Sequence, residues 1–231
     1  LHKEYRRQRQ MCIRDRLNPF AVLCGLVSIA MLVMHGSAWL QLKTDGAVAG
    51  RARTYGSVAA LGTILFYAVA GLLLWKYING YRISSEIDPF GPSNPLLKTV
   101  EGHAGAWFAN YAAYPWTMAA PIAGLVGALG AFIGLRSRRE IFALLCSSLS
   151  ITGIILSVGA SMFPFILPSS IDPRASLTVW DSSSSHLTLF IMLVVTAVFI
   201  PLIVAYTTWV YHVLWGKVNE KEIREETGHA Y

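Results

Sequence analysis

The segment SSSSHLTLFIMLVVTAVFIPLIVAYTTWVYHVLWG, residues 182–216, contains no Asp, Glu, Lys or Arg. A helix crosses the hydrocarbon core of a bilayer with roughly 20 apolar residues, so this segment is long enough to span it once. Four other uncharged segments have similar lengths and lie at 18–42, 54–75, 104–135 and 141–171. Water cannot bond the backbone at that depth, so each segment is predicted to be a helix. The sequence predicts an all-α, polytopic transmembrane domain with about five spanning helices over residues 17–216.

The composition agrees with a membrane protein, since 54% of residues are hydrophobic and 14% are charged. A soluble domain usually carries about 25% charged residues. The net charge of +6 does not indicate nucleic-acid binding, because residues 1–16 hold six Lys/Arg against two acidic residues. Three cysteines, Cys12, Cys24 and Cys146, form no CxxC pair, and no disulfide is expected.

Loop charges predict the orientation of the helices. Two connections are basic and contain Lys43, Arg51 and Arg53, and Arg136, Arg138 and Arg139. Basic loops remain in the cytoplasm, so the near-neutral or acidic connections 78–103 and 168–181 are predicted to lie outside. With five spans, the tail at 217–231 is then cytoplasmic.

This orientation conflicts with the chain's first residues. It places the start of the first helix outside, although residues 1–16 form the most basic run of the sequence. We therefore expect 1–16 to be a foreign, artefactual or disordered leader, and Met11–Arg16 resembles a translated sequencing-adapter remnant. We also expect the chain to be a fragment that has lost earlier helices.

Small residues predict where two helices pack. Membrane helices associate through residues that allow their backbones to approach closely. The third and fourth helices carry such residues three or four positions apart: Gly124, Gly127, Ala131 and Gly134, and Ser150, Gly153, Ser157 and Ser161. Gly and Ala are also common in membrane helices generally, but that leaves the spacing unexplained. The short turn at 136–140 predicts that these helices form an antiparallel pair.

Prolines and polar residues predict the helix ends. Pro115 is expected to bend or end the third helix near its start, and the fourth is expected to unwind within 163–170. Asp181 and the serines at 182–185 are expected to cap the fifth helix. Tryptophans are expected in aromatic belts at the membrane interfaces, with Trp107, Trp116 and Trp180 at the outer one.

Three histidines are the candidates for a cofactor site. His35 lies within the first helix, His186 at the start of the fifth and His212 near its end. His186 and His212 are separated by about 39 Å along a helix, so they cannot share one iron. His35 is expected to be a buried, hydrogen-bonded histidine, and a haem held by His35 and His212 is the alternative. The spans contain no carboxylate, and no catalytic motif or metal-ligand spacing is present, so no catalytic or metal-binding residue is predicted.

The segment SMFPFILPSSIDPRASLTVWDSSSSHLTL, residues 161–189, resembles subunit II of cytochrome bd quinol oxidases. Its family motif comprises Phe163, Pro164, Pro168, Ser169, Ser170, Trp180 and Asp181. Supporting matches are LNPF at 17–20, SNPL at 93–96, GAW at 105–107 and YTTWVY at 206–211. The resemblance covers nearly all of 17–231 and corresponds to the C-terminal portion of that family.

The resemblance implies a four-helix bundle plus one helix in a bacterial plasma (inner) membrane. It implies a heterodimeric terminal oxidase of the respiratory chain that oxidises quinol from the quinone pool and reduces oxygen. In that family haem b and haem d belong to subunit I, so none is expected to be ligated here. The expected partners are this haem-bearing subunit and membrane lipid, not nucleic acid. A small accessory subunit and a quinone or lipid bound in an intramembrane groove are left open.

Two other functions are consistent with the residues themselves. Five spans with proline-broken helices are also found in transporters, where substrates bind near the midplane. A transporter fragment for a charged solute would more often contain an intramembrane acid or base. The second alternative is a free-standing b-type cytochrome that uses His35 and His212.

Overall fold

Five long helices dominate the computed structural model, which describes residues 18–86, 94, 97–169, 171–213 and 216–217. They are α1 (Pro19–Lys43), α2 (Gly46–Lys76), α3 (Ala119–Arg136), α4 (Glu140–Met162) and α5 (His186–Val213). All five are long and apolar enough to cross a membrane, with α3 extended to Pro115 by a 3₁₀ turn. The prediction of an all-α, multi-pass membrane protein with five spans is confirmed.

Helices α1 to α4 form a bundle, and α5 lies beside it. The pairs α1–α2 and α3–α4 are antiparallel hairpins, and α1 also packs on α4, and α2 on α3. No residue of α5 is buried. Its one described aromatic contact with the bundle joins Tyr211 to Trp39, whose ring centroids are 5.6 Å apart. This arrangement is a four-helix bundle plus one helix.

The helices begin and end at residues suited to those positions. Asn18 precedes α1 and its side chain accepts a hydrogen bond from the amide of Phe20, beside Pro19 in the first turn. A basic residue ends α1, α2 and α3, and Glu140 begins α4, as the helix dipole favours. Between α3 and α4, Arg138 adopts a φ of 58°, and the amide of Arg139 bonds the carbonyl of Gly134 at 3.0 Å.

Two small hairpins lie together at one end of the bundle, which we term the hairpin end. Strands β1 (Asn79–Ile83) and β2 (Val100–Ala104) pair antiparallel, as do β3 (Phe165–Leu167) and β4 (Leu177–Thr178). The prediction of helices did not include these strands. The opposite end carries the tight α1–α2 and α3–α4 turns, and we term it the turn end.

Two of the helix interruptions lie next to prolines. Before α3 the chain forms a 3₁₀ turn at Ala106–Phe108, a short helix at Ala109–Ala113 and a second 3₁₀ turn at Pro115–Met118. Helix α4 ends at Met162, directly before the segment in which unwinding was expected. Helix α5 continues through Pro201.

Candidate functional site

The closest helix contact joins α3 and α4 through the small residues singled out in the sequence. A Cβ added at Gly127 would lie 2.5 Å from the amide nitrogen of Ser150, and one at Gly134 would lie 2.8 Å from Cα of Ala143. The hydroxyl of Ser150 donates to the carbonyl of Gly124 at 2.8 Å. Gly153 and Ser157 are also buried on this face, Ala131 is fully buried, and Ser161 is half-buried. Backbone is therefore packed on backbone along this interface.

His35 is held inside the bundle by a hydroxyl group. Its Nδ1 lies 2.9 Å from Oγ of Ser147, and that hydroxyl donates its proton to the carbonyl of Leu144 at 2.8 Å. A serine hydroxyl has one proton, so the imidazole Nδ1–H is the donor to Ser147.

The other two histidines lie apart from His35. His186 and His212 are exposed at opposite ends of α5. Helices α1 and α5 run in the same direction, and the Trp39–Tyr211 contact sets their register. His212 is thereby about 7.5 Å further toward the turn end than His35. Within the described ranges, no group of three or more His, Cys, Asp or Glu side chains is placed to hold a metal.

Two tyrosines that sequence reasoning missed connect three elements through Ser157. The hydroxyl of Tyr67 on α2 lies 2.6 Å from Oγ of Ser157, which itself donates to the carbonyl of Ile154 at 2.7 Å. Tyr111, from the short helix before α3, donates to the carbonyl of Ser157 at 2.8 Å. No motif marks these tyrosines, but each is a polar side chain in an apolar segment, and that is a usable signal.

Three aromatic rings form the centre of the hairpin end. Tyr81, Trp107 and Phe165 contact one another edge to face, with centroid separations of 5.6, 6.2 and 6.0 Å. Trp107 is 8% exposed, so its ring packs on the protein itself, and its place in an interfacial belt remains a prediction. A Cβ at Gly80 would lie 2.5 Å from the amide nitrogen of Trp107, which explains how the β1 strand approaches so closely.

An ion pair between Lys98 and Asp181 stabilises the hairpin end. Lys98 Nζ donates to Oδ2 of Asp181 at 2.6 Å, and the hydroxyl of Thr178 donates to the same oxygen at 2.6 Å. Burial alone would raise the pKa of Asp181, but the hydrogen bonds from Lys98 and Thr178 outweigh it and hold that pKa below its ordinary value. Sequence reasoning did not single out Lys98.

Asp181 does not cap the fifth helix as expected. With Thr178 it forms a capping box on the four-residue helix Val179–Ser182. The cap of α5 is Ser185, whose Oγ accepts from the amide of Thr188 at 3.4 Å.

The remaining motif residues shape the chain around the end of α4. The ring of Phe163 contacts that of Trp180 at a centroid distance of 6.3 Å, and the carbonyl of Pro164 accepts from the amide of Val179 at 3.0 Å. The amide of Ser169 donates to Oγ of Ser176 at 2.9 Å. Pro168 directly follows β3, and Ser170 lies outside the described residues.

A cavity of about 690 Å³ opens beside the three aromatic rings. Its wall includes Phe163, Phe165 and Trp180, with alanines of the Ala109–Ala113 helix and the guanidinium-bearing Arg82. The amide of Asn110, which also lines it, already donates to the carbonyls of Ala160 and Phe163. An apolar body with one polar or anionic group would suit this lining.

At the turn end, Lys217 joins two helix connections. Its Nζ lies 2.5 Å from Oε1 of Glu140 and 3.3 Å from Oδ1 of Asp45. The hydrogen bond to Glu140 raises the pKa of Lys217, and Asp45 adds to this shift. The residue after α5 is thereby attached to the start of α4 and to the α1–α2 turn.

The structure is that of a polytopic integral membrane protein: it has five apolar spans, an interior of small and hydroxyl side chains, and an ion pair at the hairpin end. The described residues include no evident catalytic group. The sequence comparisons specify its family. The chain belongs to the cytochrome bd terminal oxidase subunit II family, whose sequence model matches residues 3–214. This match extends into residues 1–16, and the expectation that they are foreign to the protein remains a prediction.

Curated relatives agree with the family match. The chain is 40% identical over 217 residues to a probable cytochrome oxidase subunit 2 of Haemophilus influenzae, covering 94% of this chain and 57% of the relative. It is 40% identical over 215 residues to the cytochrome bd-I ubiquinol oxidase subunit 2 of Escherichia coli K12, covering 93% and 57%. A Bacillus subtilis cytochrome bd ubiquinol oxidase subunit 2 is 23% identical over 215 residues, covering 91% and 54%. The chain thus spans little more than half the length of these relatives.

Proposed function

We propose that this chain is a non-haem-ligating membrane subunit of a cytochrome bd-type quinol:oxygen oxidoreductase, in which it packs against and stabilises the haem-bearing subunit I. The observation that carries this proposal is the family match over residues 3–214. The positions of the histidines are consistent with it. His35 uses Nδ1 to bond Ser147, and His186 and His212 lie at opposite ends of α5.

The exposed helix α5 offers a surface on which another subunit could pack. Its side chains are apolar along most of its length, and none is buried by the rest of the described chain. An apolar helix in a membrane can face lipid or another subunit. The four-helix bundle would remain intact under either arrangement, because its own contacts do not depend on α5.

We propose that the turn end faces the cytoplasm and that the tail beyond Lys217 is cytoplasmic. The basic residues of both tight connections lie at this end, in accord with the positive-inside rule. A reporter fused to the C-terminus tests the orientation: green fluorescent protein is expected to fluoresce and alkaline phosphatase to be inactive. The reverse pattern would contradict it.

The cavity at the hairpin end is where we propose that a quinone or lipid binds. Both ligand types combine an apolar tail with a polar head, which the aromatic wall and Arg82 suit. Native mass spectrometry of the purified complex tests this proposal. An isoprenoid or phospholipid adduct that diminishes in the Trp180→Ala variant is expected, and an adduct-free complex would contradict it.

Co-purification tests the subunit assignment. An affinity tag on this chain, co-expressed with the haem-bearing subunit encoded by the same organism, is expected to recover both chains in a 1:1 ratio with quinol oxidase activity. The same tag on an unrelated five-span protein is the control for adventitious recovery. Recovery of this chain without the haem-bearing subunit would contradict the assignment.

A further inference from the structure

Gln41, near the end of α1, has a buried amide group without a hydrogen-bond partner. The residue is 1% exposed, and neither Oε1 nor Nε2 is bonded to any described residue. Nε of Arg53, on α2, is also buried and has no such partner. Buried polar groups in proteins almost always have a partner, so both groups call for an explanation.

The register of α1 and α2 brings these two side chains to the same depth. A Cβ at Gly56 would lie 2.5 Å from Cβ of Ser37, so these two residues face each other. Because the helices are antiparallel, one further turn toward the turn end carries α1 to Gln41 and α2 to Arg53. Ala49 and Ala52, which carry small side chains, are buried on the same part of α2.

This location lies between an apolar layer and an ionic one. On the bundle side, Ala38, Leu135 and Ala143 form a fully buried cluster one turn from Gln41. On the other side, Lys217 joins Asp45 to Glu140 across the connections. Gln41 is 1% exposed, so a phospholipid headgroup does not reach its amide.

The hydrogen-bonding groups specify the ligand. A carboxamide presents an acceptor oxygen and two N–H donors, whereas Nε of Arg53 presents one donor. An anion would satisfy the donors only, and a metal cation would satisfy the oxygen only. Water both donates and accepts, and buried waters typically make about three hydrogen bonds to groups of this kind.

We propose that the turn end of the bundle contains an internal hydration site, in which ordered water bridges the side-chain amide of Gln41 and Nε of Arg53. The site separates the dry bundle interior from the charged groups at the membrane surface. It goes beyond the proposed function, and the two groups that the water joins lie on α1 and α2.

High-resolution cryo-electron microscopy of the intact complex in lipid nanodiscs tests this directly. The expected result is water density within hydrogen-bond distance of the Gln41 amide and of Arg53 Nε. A dry site, with the Gln41 amide turned onto a protein group, would overturn the proposal, as would a single larger anion bound to Arg53. This measurement needs no variant, so it decides the matter even where substitutions impair folding.

A double-mutant cycle adds an independent requirement. Gln41→Met and Arg53→Met each remove one side of the bridge, so their effects on the thermal midpoint of the complex are expected to be non-additive by about 2 °C or more. The control pairs Gln41→Met with Arg51→Met. Arg51 is exposed and lies two residues before Arg53, so the effects of these two substitutions on the thermal midpoint are expected to be additive. Additive effects of Gln41→Met and Arg53→Met on the thermal midpoint would overturn the proposal of a water bridge.

Discussion

Gly153 and Gly159 lie six residues apart on α4 and have different surroundings. A Cβ at Gly153 would lie 2.7 Å from the carbonyl oxygen of Ala120, whereas nothing lies within 4 Å of one at Gly159. Gly153→Ala is therefore expected to destabilise the bundle by about 1–3 kcal/mol, because backbone has to move to admit the methyl group. Gly159→Ala is expected to be neutral or slightly stabilising. Thermal midpoints of the purified variants check this, and equal losses would contradict it.

The hydrogen bond of His35 gives a second prediction at this scale. His35→Leu and Ser147→Ala each remove a partner in the bond and are expected to lower stability by about 1 kcal/mol. The reduced-minus-oxidised haem spectrum of the assembled complex is expected to remain unchanged in both variants. Loss or a shift of a haem b band in His35→Leu alone would show that His35 is a haem ligand.

The sequence indicated which residues lie at a helix contact more readily than it indicated which residues they contact. The spacing of Gly124, Gly127 and Gly134 is visible along one helix, so a close-packed face could be inferred from it. The hydrogen bond between Tyr67 and Ser157 depends on which faces of α2 and α4 meet, and the two residues are 90 positions apart in the sequence. Gln41 lies within an uncharged segment and gives no sign there that its amide is buried.

At the scale of elements, the hairpin end depends on the pair formed by Lys98 and Asp181. Asp181→Asn removes the carboxylate while Lys98 remains 5% exposed, and breaking such a pair costs about 3–5 kcal/mol. We expect faster amide hydrogen exchange in β1 to β4 and little change in α1 and α2. The matched control is Asp172→Asn, whose pair with Arg174 is largely exposed. Equal exchange in the two variants would contradict this role.

The same pair predicts how the hairpin end responds to acid. The pKa of Asp181 is lowered in the folded protein, so its contribution to stability is fully present above the ordinary aspartate pKa of about 3.9. It is lost as the pH falls through the lower, folded pKa. Hydrogen exchange of β3 and β4, corrected for intrinsic rates, is expected to be constant from pH 7 to about 5. Loosening within that interval would contradict the assignment.

Elements differ in how strongly the sequence marks them. A span requires about 20 uncharged residues, and proline marks where the third one is interrupted, so both could be predicted. Strands of two to five residues in polar connections have no comparable signal. They form because Trp107 and Phe165 bury their rings against Tyr81, which brings distant connections together.

The distribution of basic residues predicts how the chain is oriented in the membrane, and the family match supports the proposal that it is a subunit of an oxidase complex. Neither follows from the bundle geometry, which would be the same in both orientations. Helix α5 illustrates the limit. Its length and composition predicted a span, but its position beside α1 rests on contacts such as that of Tyr211 with Trp39, which the sequence does not mark.

We propose that this chain ligates no haem itself and complements a subunit that does. The chain, expressed without the haem-bearing subunit in haem-replete cells and purified in mild detergent, is the direct test by absorption spectroscopy. We predict no Soret band above that of a mock preparation, and a full haem spectrum when the two subunits are co-expressed. A stoichiometric Soret band from this chain alone, abolished in a His35→Leu or His212→Leu variant, would show that the chain ligates haem itself.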